Sequence, residues 1–212
     1  SDHTLVNKSL TDFADETASE SPAPGGGSIS AYVGALGASL AAMVANLSSH
    51  KKGWDQRWAE FSDWAEKGQQ YKKELLDLVD ADTRAFNGIM AAFSMPKATA
   101  EEKAVRSGAI QEATKIAIEI PLRVMEVAYA SMEPIQAMAA TGNPNSVSDA
   151  GVGALCARSA VLGAWLNVRI NASGYEDKAW VEKVLARGKE LESKAIAAEA
   201  AILKIVSYKI SS

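Results

Sequence analysis

The chain has 212 residues with 22 Lys+Arg against 26 Asp+Glu, a net charge of -4, and so lacks the basic balance expected of a nucleic-acid binder. Apolar residues make up 48% and charged residues 23%, which excludes global disorder, and the length suits one domain. A single cysteine, Cys156, and two histidines, His3 and His50, leave no disulfide framework, no Cys-rich zinc module and scant material for a His metal site or a Ser-His-Asp triad.

The chain opens at Ser1-Asp2-His3, without Met and without signal-peptide character, and this start predicts a piece excised from a larger protein. Ser9 with Asp12 resembles a capping box and predicts a short helix ending near Ser19. Ser21 to Ser28 (SPAPGGGS) reads as a loop, followed by a helix from about Ser28 to Ser49. Gly53 ends that region. A long helix is predicted from about Trp54 to Phe93 and is broken at Met95-Pro96-Lys97. Thr99 and Glu102 form a capping box for the next helix, which Pro121 should kink or interrupt because it cannot donate to the Ala117 carbonyl. After the Thr141–Asn145 loop (TGNPN), Ser146 and Asp149 read as a further capping box, opening a helix to about Asn171 with Gly174 as its C-terminal cap. A final, more charged helix runs from about Glu176 to Ser207. With no repeat or linker, residues 1–212 read as one all-α bundle of about five long helices plus a short N-terminal one, with a core over about 9–207. The uncharged stretch from Ser21 to Ser49 has the length of a membrane span, but Gly34, Ala35, Gly37, Ala38, Ala41 and Ala42 are small rather than greasy. It reads as a buried helix of a bundle or of a dimer seam, with no membrane.

Four places could carry chemistry. Pro24-Gly25-Gly26-Gly27-Ser28 frees backbone N–H groups at a helix start for an anion or a polar ring edge, although a tight turn between closely packed helices explains it equally well, and no Lys-Ser/Thr follows to make a P-loop. Asp82 lies on the apolar stripe of Leu75, Leu78, Val79, Phe86, Met90 and Phe93, four residues from Leu78 and from Phe86. Desolvation there would raise its pKa toward that of an acid–base catalyst, while on spacing alone a satisfied core aspartate is the preferred reading. Asn167 and Asn171 share a helical face; Asn167 could read a heterocycle's donors and acceptors, and Asn171 reads as a C-terminal cap. Asp149 reads as a capping-box member, Lys51 and Lys52 as helix C-terminal cations or carboxylate ligands, and Trp54, Trp58, Phe61 and Trp64 as packing or interface.

Four segments, in order, carry a resemblance over nearly the whole chain from about Ser9: SPAPGGGSISAYVGALGASLAAMV, DADTRAF with SMPK behind it, TGNPNSVSDAGVGAL, and GAWLNVRIN. They resemble the formimidoyltetrahydrofolate cyclodeaminase family, which also includes methenyltetrahydrofolate cyclohydrolases. The resemblance implies an all-α homodimer dimerising through helices, cytoplasmic, acting on a tetrahydrofolate derivative that can be polyglutamylated. It implies no cofactor or metal beyond that folate, and a formiminotransferase domain or partner nearby. The DADTRAF segment is similar to the form found in bifunctional enzymes, favouring cyclodeaminase over stand-alone cyclohydrolase. Residue by residue, the resemblance carries the family's motifs onto Pro24 to Ser28, Asp82, Gly142, Asn143, Ser148, Asp149, Asn167 and Asn171. It implies Asp82 as proton shuttle and Asp149 as a second carboxylate orienting the pterin. Asn143 and Asn167 are then ring-binding amides, and the glycine-rich start, with Lys51 or Lys52, takes the glutamyl carboxylates. A scaffold kept for folate binding or dimerisation without turnover is the reading of another class.

Overall fold

The computed structural model describes residues 4–212; His3 lies outside the described residues. Among these, seven α-helices follow one another: α1 (Leu10–Ala18), α2 (Gly26–Ser49), α3 (Trp58–Phe93), α4 (Ala100–Ala130), α5 (Met132–Thr141), α6 (Val147–Ala172) and α7 (Lys178–Ser211). The all-α bundle is as expected, and the sequence cues locate most of its boundaries. The Ser9 side chain accepts from the Asp12 N–H at 3.0 Å, and Thr99 with Glu102 makes both bonds of a capping box.

Helix α2 is the axis of the bundle. It runs antiparallel to α3, with Ser28 beside Val79 and Gly34 beside Leu75, and antiparallel to α6, with Gly26 beside Asn167 and Gly34 beside Ala160. Its buried positions are nearly all Gly, Ala and Ser. Such residues let backbones approach within reach of one another's atoms. At Gly37 a Cβ would stand 3.0 Å from the Gly153 carbonyl oxygen and 3.1 Å from the Cys156 Cβ, so α2 and α6 touch there backbone to backbone. Larger core side chains come from the flanking helices: Phe61 and Leu75 of α3, Ile118 and Met125 of α4, Leu191 and Ile202 of α7.

Helix α2 is buried on one side only. Its large side chains point outward, with Leu36, Met43 and Leu47 exposed at 43%, 36% and 46%. On α6, Val152, Leu155, Leu166 and Ile170 do the same, at 49%, 45%, 60% and 72%. By helical periodicity each set occupies one stripe, and the antiparallel pairing puts both stripes on the same side of the α2–α6 pair. Both helices are long and apolar enough to cross a membrane, and their windows are 61% and 50% buried within the bundle.

Three local expectations are corrected. Ser146 and Asp149 do not form a capping box: no side chain of Ser146 caps α6, whose preceding turn, Pro144–Ser146, is instead held by Asn143 Oδ1 accepting from the Asn145 N–H at 3.0 Å. The helical stretch breaks at Ser131 and not at Pro121, through which α4 runs without interruption. Asn171 explains this. It is no cap of its own helix; its Nδ2 donates to the Ala117 carbonyl oxygen at 3.1 Å, the acceptor that Pro121 leaves without a backbone donor. A side-chain amide of α6 thus replaces a missing peptide N–H of α4. Asn171→Ala is expected to destabilise the fold by about 1–3 kcal/mol, the cost of an orphaned buried acceptor. Adding Pro121→Ala should return most of that loss, because residue 121 can then donate. Chemical denaturation of the two single variants and the double variant measures the coupling.

Candidate functional site

The sequence-predicted residues gather at the two ends of α2, around Ser28 and Ser48. The Ser28 end and the Ser48 end are separated by about 30 Å at 1.5 Å per residue.

At the first end, the start of α2 meets α3 and α6. Gly25 is the N-cap of α2, which carries no acidic residue in its own first turn. The acid comes from α3: the Ser28 hydroxyl lies 3.4 Å from Asp82 Oδ2, and the Ser28 backbone N–H also donates to the Asp82 carboxylate. Gly27 makes the approach possible, since a Cβ there would overlap the Asp82 carboxylate. The glycine-rich segment is thus a tight contact between α2 and α3, with a helix N-terminus that faces a carboxylate of the chain itself. Burial pushes the Asp82 carboxyl above the usual carboxylate range, opposed by the hydroxyl and backbone bonds from Ser28. Ser28 is fully buried; its hydroxyl donates to the Val79 carbonyl at 2.7 Å and lies 3.1 Å from Thr83 Oγ1. Asn167 of α6 completes this end, its Nδ2 donating to the Gly163 carbonyl at 3.1 Å beside Gly26. Next to the group opens a cleft of about 730 Å³ lined by Ser21, Pro22, Thr83, Arg84 and Asn87.

The second end holds Asn143, Ser148, Asp149 and Lys52. The Asn143 N–H donates to Ser48 Oγ at 2.7 Å, tying the Gly142-Asn143 turn to the last turn of α2. Cations from distant elements satisfy the carboxyl end of α5, from which this turn hangs. Arg57 Nη2 donates to the Thr141 carbonyl at 3.1 Å, and Lys209 Nζ to the Ala139 and Ala140 carbonyls at 2.8 and 2.5 Å. Ser148 is exposed and Asp149 half-buried at the start of α6. Lys52 is exposed just past α2, and Lys51 Nζ sits 4.7 Å from the centroid of the Trp54 ring. Trp54 stacks on Phe61 at 5.5 Å, so these aromatics pack, as their spacing suggests, while Trp58 is exposed.

The structure thus brings Gly25 to Ser28, Asp82 and Asn167 together, and brings Asn143, Ser148, Asp149 and Lys52 to the opposite end of the same bundle. Sequence reasoning passed over Thr83, although it stands next to Asp82 and four residues after Val79, and over Ser48 and Lys209, whose partners lie far away in sequence. Among the described residues, no group of three or more His, Cys, Asp or Glu is placed to hold a metal ion.

A family model described as Formiminotransferase-cyclodeaminase matches residues 9–190. A methenyltetrahydrofolate cyclohydrolase of Methylorubrum extorquens is 37% identical over 205 residues, covering 97% of this chain and 99% of the relative. A formimidoyltransferase-cyclodeaminase of Rattus norvegicus is 35% identical over 186 residues, covering 88% of this chain, which spans only 34% of that longer protein. Among solved structures, a formiminotetrahydrofolate cyclodeaminase of Thermotoga maritima superposes with a TM-score of 0.85 at 28% identity, covering 96% of this chain and 98% of that one.

Proposed function

The chain belongs to the formiminotransferase-cyclodeaminase family, a family of folate one-carbon enzymes, and on that premise we propose that it converts 5-formimidoyltetrahydrofolate to 5,10-methenyltetrahydrofolate and ammonia. The observation that carries this reading is the Asp82 carboxyl, desolvated, held at a helix N-terminus and bonded by Ser28 alone. A carboxyl raised above its ordinary range in this way is suited to accept a proton and give it back. N10 of the substrate attacks the carbon of the formimidoyl group, which enters protonated as an amidinium, and Asp82 takes the N10 proton. The aminal then collapses as Asp82 returns that proton to the departing nitrogen. Ammonia leaves, the methenyl cation remains, and Asp82 ends as it began. Its negative charge stabilises the cation as it develops. Both proton transfers use the chain's own residues, with no cofactor beyond the folate. Asn167 and the free N–H groups at the start of α2 suit polar edges of the substrate.

A second reading, methenyltetrahydrofolate cyclohydrolase, draws on the end-to-end match to the Methylorubrum extorquens enzyme. It uses the same carboxyl, with water attacking the methenyl carbon in place of N10, and it releases one proton to solvent.

The enzyme is a homodimer in this proposal. About 30 Å of α2 separates Ser28, beside Asp82, from Ser48, beside Asn143, more than one folate head spans, and the outward apolar stripes on α2 and α6 form the kind of patch that monomers seldom expose. A two-fold axis perpendicular to the middle of α2 covers those stripes and sets the Asp82 end of one protomer against the Asp149 end of its partner. Asn143, Ser148, Asp149 and Lys51 or Lys52 then complete the site across the interface, with the lysines facing the glutamate or polyglutamate tail. A formiminotransferase, attached or separate, would supply the substrate, and the cytoplasm is the compartment consistent with it.

One assay tests both parts. Purified protein given 5-formimidoyltetrahydrofolate should release ammonia as methenyl absorbance rises, whereas acceleration of methenyltetrahydrofolate hydrolysis alone would replace the first reading with the second. Asp82→Asn and Asp149→Asn variants, each inactive, should regain up to about a quarter of native activity when their subunits are mixed and reassembled, since half the dimers then carry one intact site of two. Mixed dimers that stay silent would place each site within one protomer.

A further inference from the structure

The last three carbonyls of α5 have lost their helical donors. If the helix ran on, Ala139 would accept from the Asn143 N–H, Ala140 from residue 144 and Thr141 from the Asn145 N–H. Asn143 instead gives its N–H to Ser48 Oγ at 2.7 Å, residue 144 is a proline with none to give, and Asn145 gives its own to Asn143 Oδ1 at 3.0 Å. Two cations from distant elements take over. Lys209 Nζ of α7 donates to Ala139 and Ala140 at 2.8 and 2.5 Å, and Arg57 Nη2, just before α3, donates to Thr141 at 3.1 Å. These bonds are charge-assisted and lie at the negative end of α5. The donors withdrawn from α5 build the 142–145 turn, and the cations replace them at all three carbonyls.

The turn so built fixes Asn143. Its N–H is tied to α2 and its Oδ1 to the turn, which leaves the two Nδ2 hydrogens for a ligand. Helix α6 opens soon after at Val147, with Ser148 and Asp149 in its first turn. The end of α7 also leans on this stretch: a Cβ on Gly151 would stand 3.1 Å from a Val206 methyl. Glu60 steadies Arg57 through two bonds of 3.1 Å, and the centroids of the Trp54 and Phe61 rings lie 4.6 and 4.5 Å from its guanidinium carbon. Lys209 lies past residue 190, where the match to the family model ends.

We propose that Lys209, with Arg57 beside it, is a positioning residue that holds Asn143 and the start of α6 in place to bind the substrate. This rests on the reading in which Asn143 and Asp149 complete the site across the dimer interface. Ala140 is exposed and can turn to water, but Ala139 is fully buried, so without the Lys209 ammonium its oxygen loses a donor that water does not readily replace. The nearest substitute is the Asn143 N–H, which reaches Ala139 only by leaving Ser48 and extending α5. That shift moves Asn143 off α2 and leaves Asp82, at the other end of α2, untouched. Loss of Lys209 therefore weakens substrate binding and spares the proton transfers.

The test measures kcat and KM for 5-formimidoyltetrahydrofolate, or for methenyltetrahydrofolate should that be the substrate turned over, in the wild type, Lys209→Met, Lys209→Arg and Asn143→Ala. Lys209→Met should raise KM about 10-fold, the scale of one charge-assisted hydrogen bond, with kcat held within about twofold. Lys209→Arg keeps donors for two carbonyls and should restore most of the loss. Subunit mixing separates positioning from a general loss of structure. In hybrids of Lys209→Met with Asp82→Asn, one site pairs an intact Asp82 with an intact Asn143 end, so a component with native KM should appear. In hybrids with Asp149→Asn, the one site left uses the Lys209→Met end, and KM should stay raised. Lys209→Gln, which keeps one amide donor, replaces Lys209→Met should that variant fail to fold. An unmoved KM in folded Lys209→Met, or a raised KM in both hybrids, overturns the inference. Asn143→Ala separates the two levels: a raised KM there alone removes Lys209 as a positioning residue, whereas an unmoved KM in both variants removes this end of α2 from the substrate.

Discussion

Asp82→Asn is expected to lower turnover by about 10²–10⁴-fold, the usual contribution of a positioned acid–base group, while the bundle stays folded. The amide matches the carboxyl in shape and can still accept from Ser28, so the helix contacts of α2 and α3 survive. The variant should also change stability in a direction that a purely structural aspartate would not give. Burial raises the folded-state pKa of Asp82 above its ordinary 3.8. Between those two values the folded state holds more protons than the unfolded one, so the native chain loses stability as pH rises through that window. Below 3.8 the penalty is absent; above the folded pKa it is complete. Asp82→Asn should therefore equal or exceed the native chain in stability at neutral pH, and the advantage should vanish in acid. Denaturant midpoints at several pH values, read beside turnover, test this. A variant less stable at pH 7 and unchanged in turnover would make Asp82 a structural residue.

Gly27→Ala should be nearly as damaging with a single methyl. The added carbon would occupy the space of the Asp82 carboxylate, which must then swing away or push α2 off α3. Overpacking of this kind costs about 1–3 kcal/mol. Because the group displaced is the proposed shuttle, turnover should fall by at least about 10²-fold even at temperatures where the variant is fully folded. Gly27→Ala combined with Asp82→Gly tests the cause. Removing the carboxylate should restore most of the lost stability and none of the turnover. Persistent destabilisation in the double variant would mean that Gly27 serves something other than its contact with Asp82.

These two positions also show how much was legible in the sequence. Asp82 stands out because a carboxylate interrupts an apolar stripe at helical spacing, and the glycines stand out as a run. What one-dimensional spacing could not tell is that the two features face each other, since 54 positions separate Ser28 from Asp82. The same limit hid the roles of Ser48 and Lys209, whose partners are 95 and about 70 positions away. Local rules misled where tertiary partners overrode them. Ser146 and Asp149 have capping-box spacing, yet the turn before α6 is closed by Asn143. Proline at 121 reads as an interruption, yet an amide from another helix removes the penalty. The uncharged run of α2 marks a bundle or seam helix without telling which face turns inward; its small residues do, and its large ones point outward.

The pairing of Asn171 with Pro121 also constrains the order in which such a pair can arise. A carbonyl oxygen has two lone pairs, so an asparagine amide can settle beside Ala117 while residue 121 still donates, at little cost. Proline arriving first has no such shelter: it would leave the Ala117 oxygen without a donor until position 171 changed. Of the two single-step routes to the present chain, the one that begins with asparagine stays on stable ground throughout. With proline in place, loss of the asparagine costs the orphaned acceptor that its amide now covers. A polar residue that would be neutral on α6 thus becomes costly to lose through the choice made at a position on another helix.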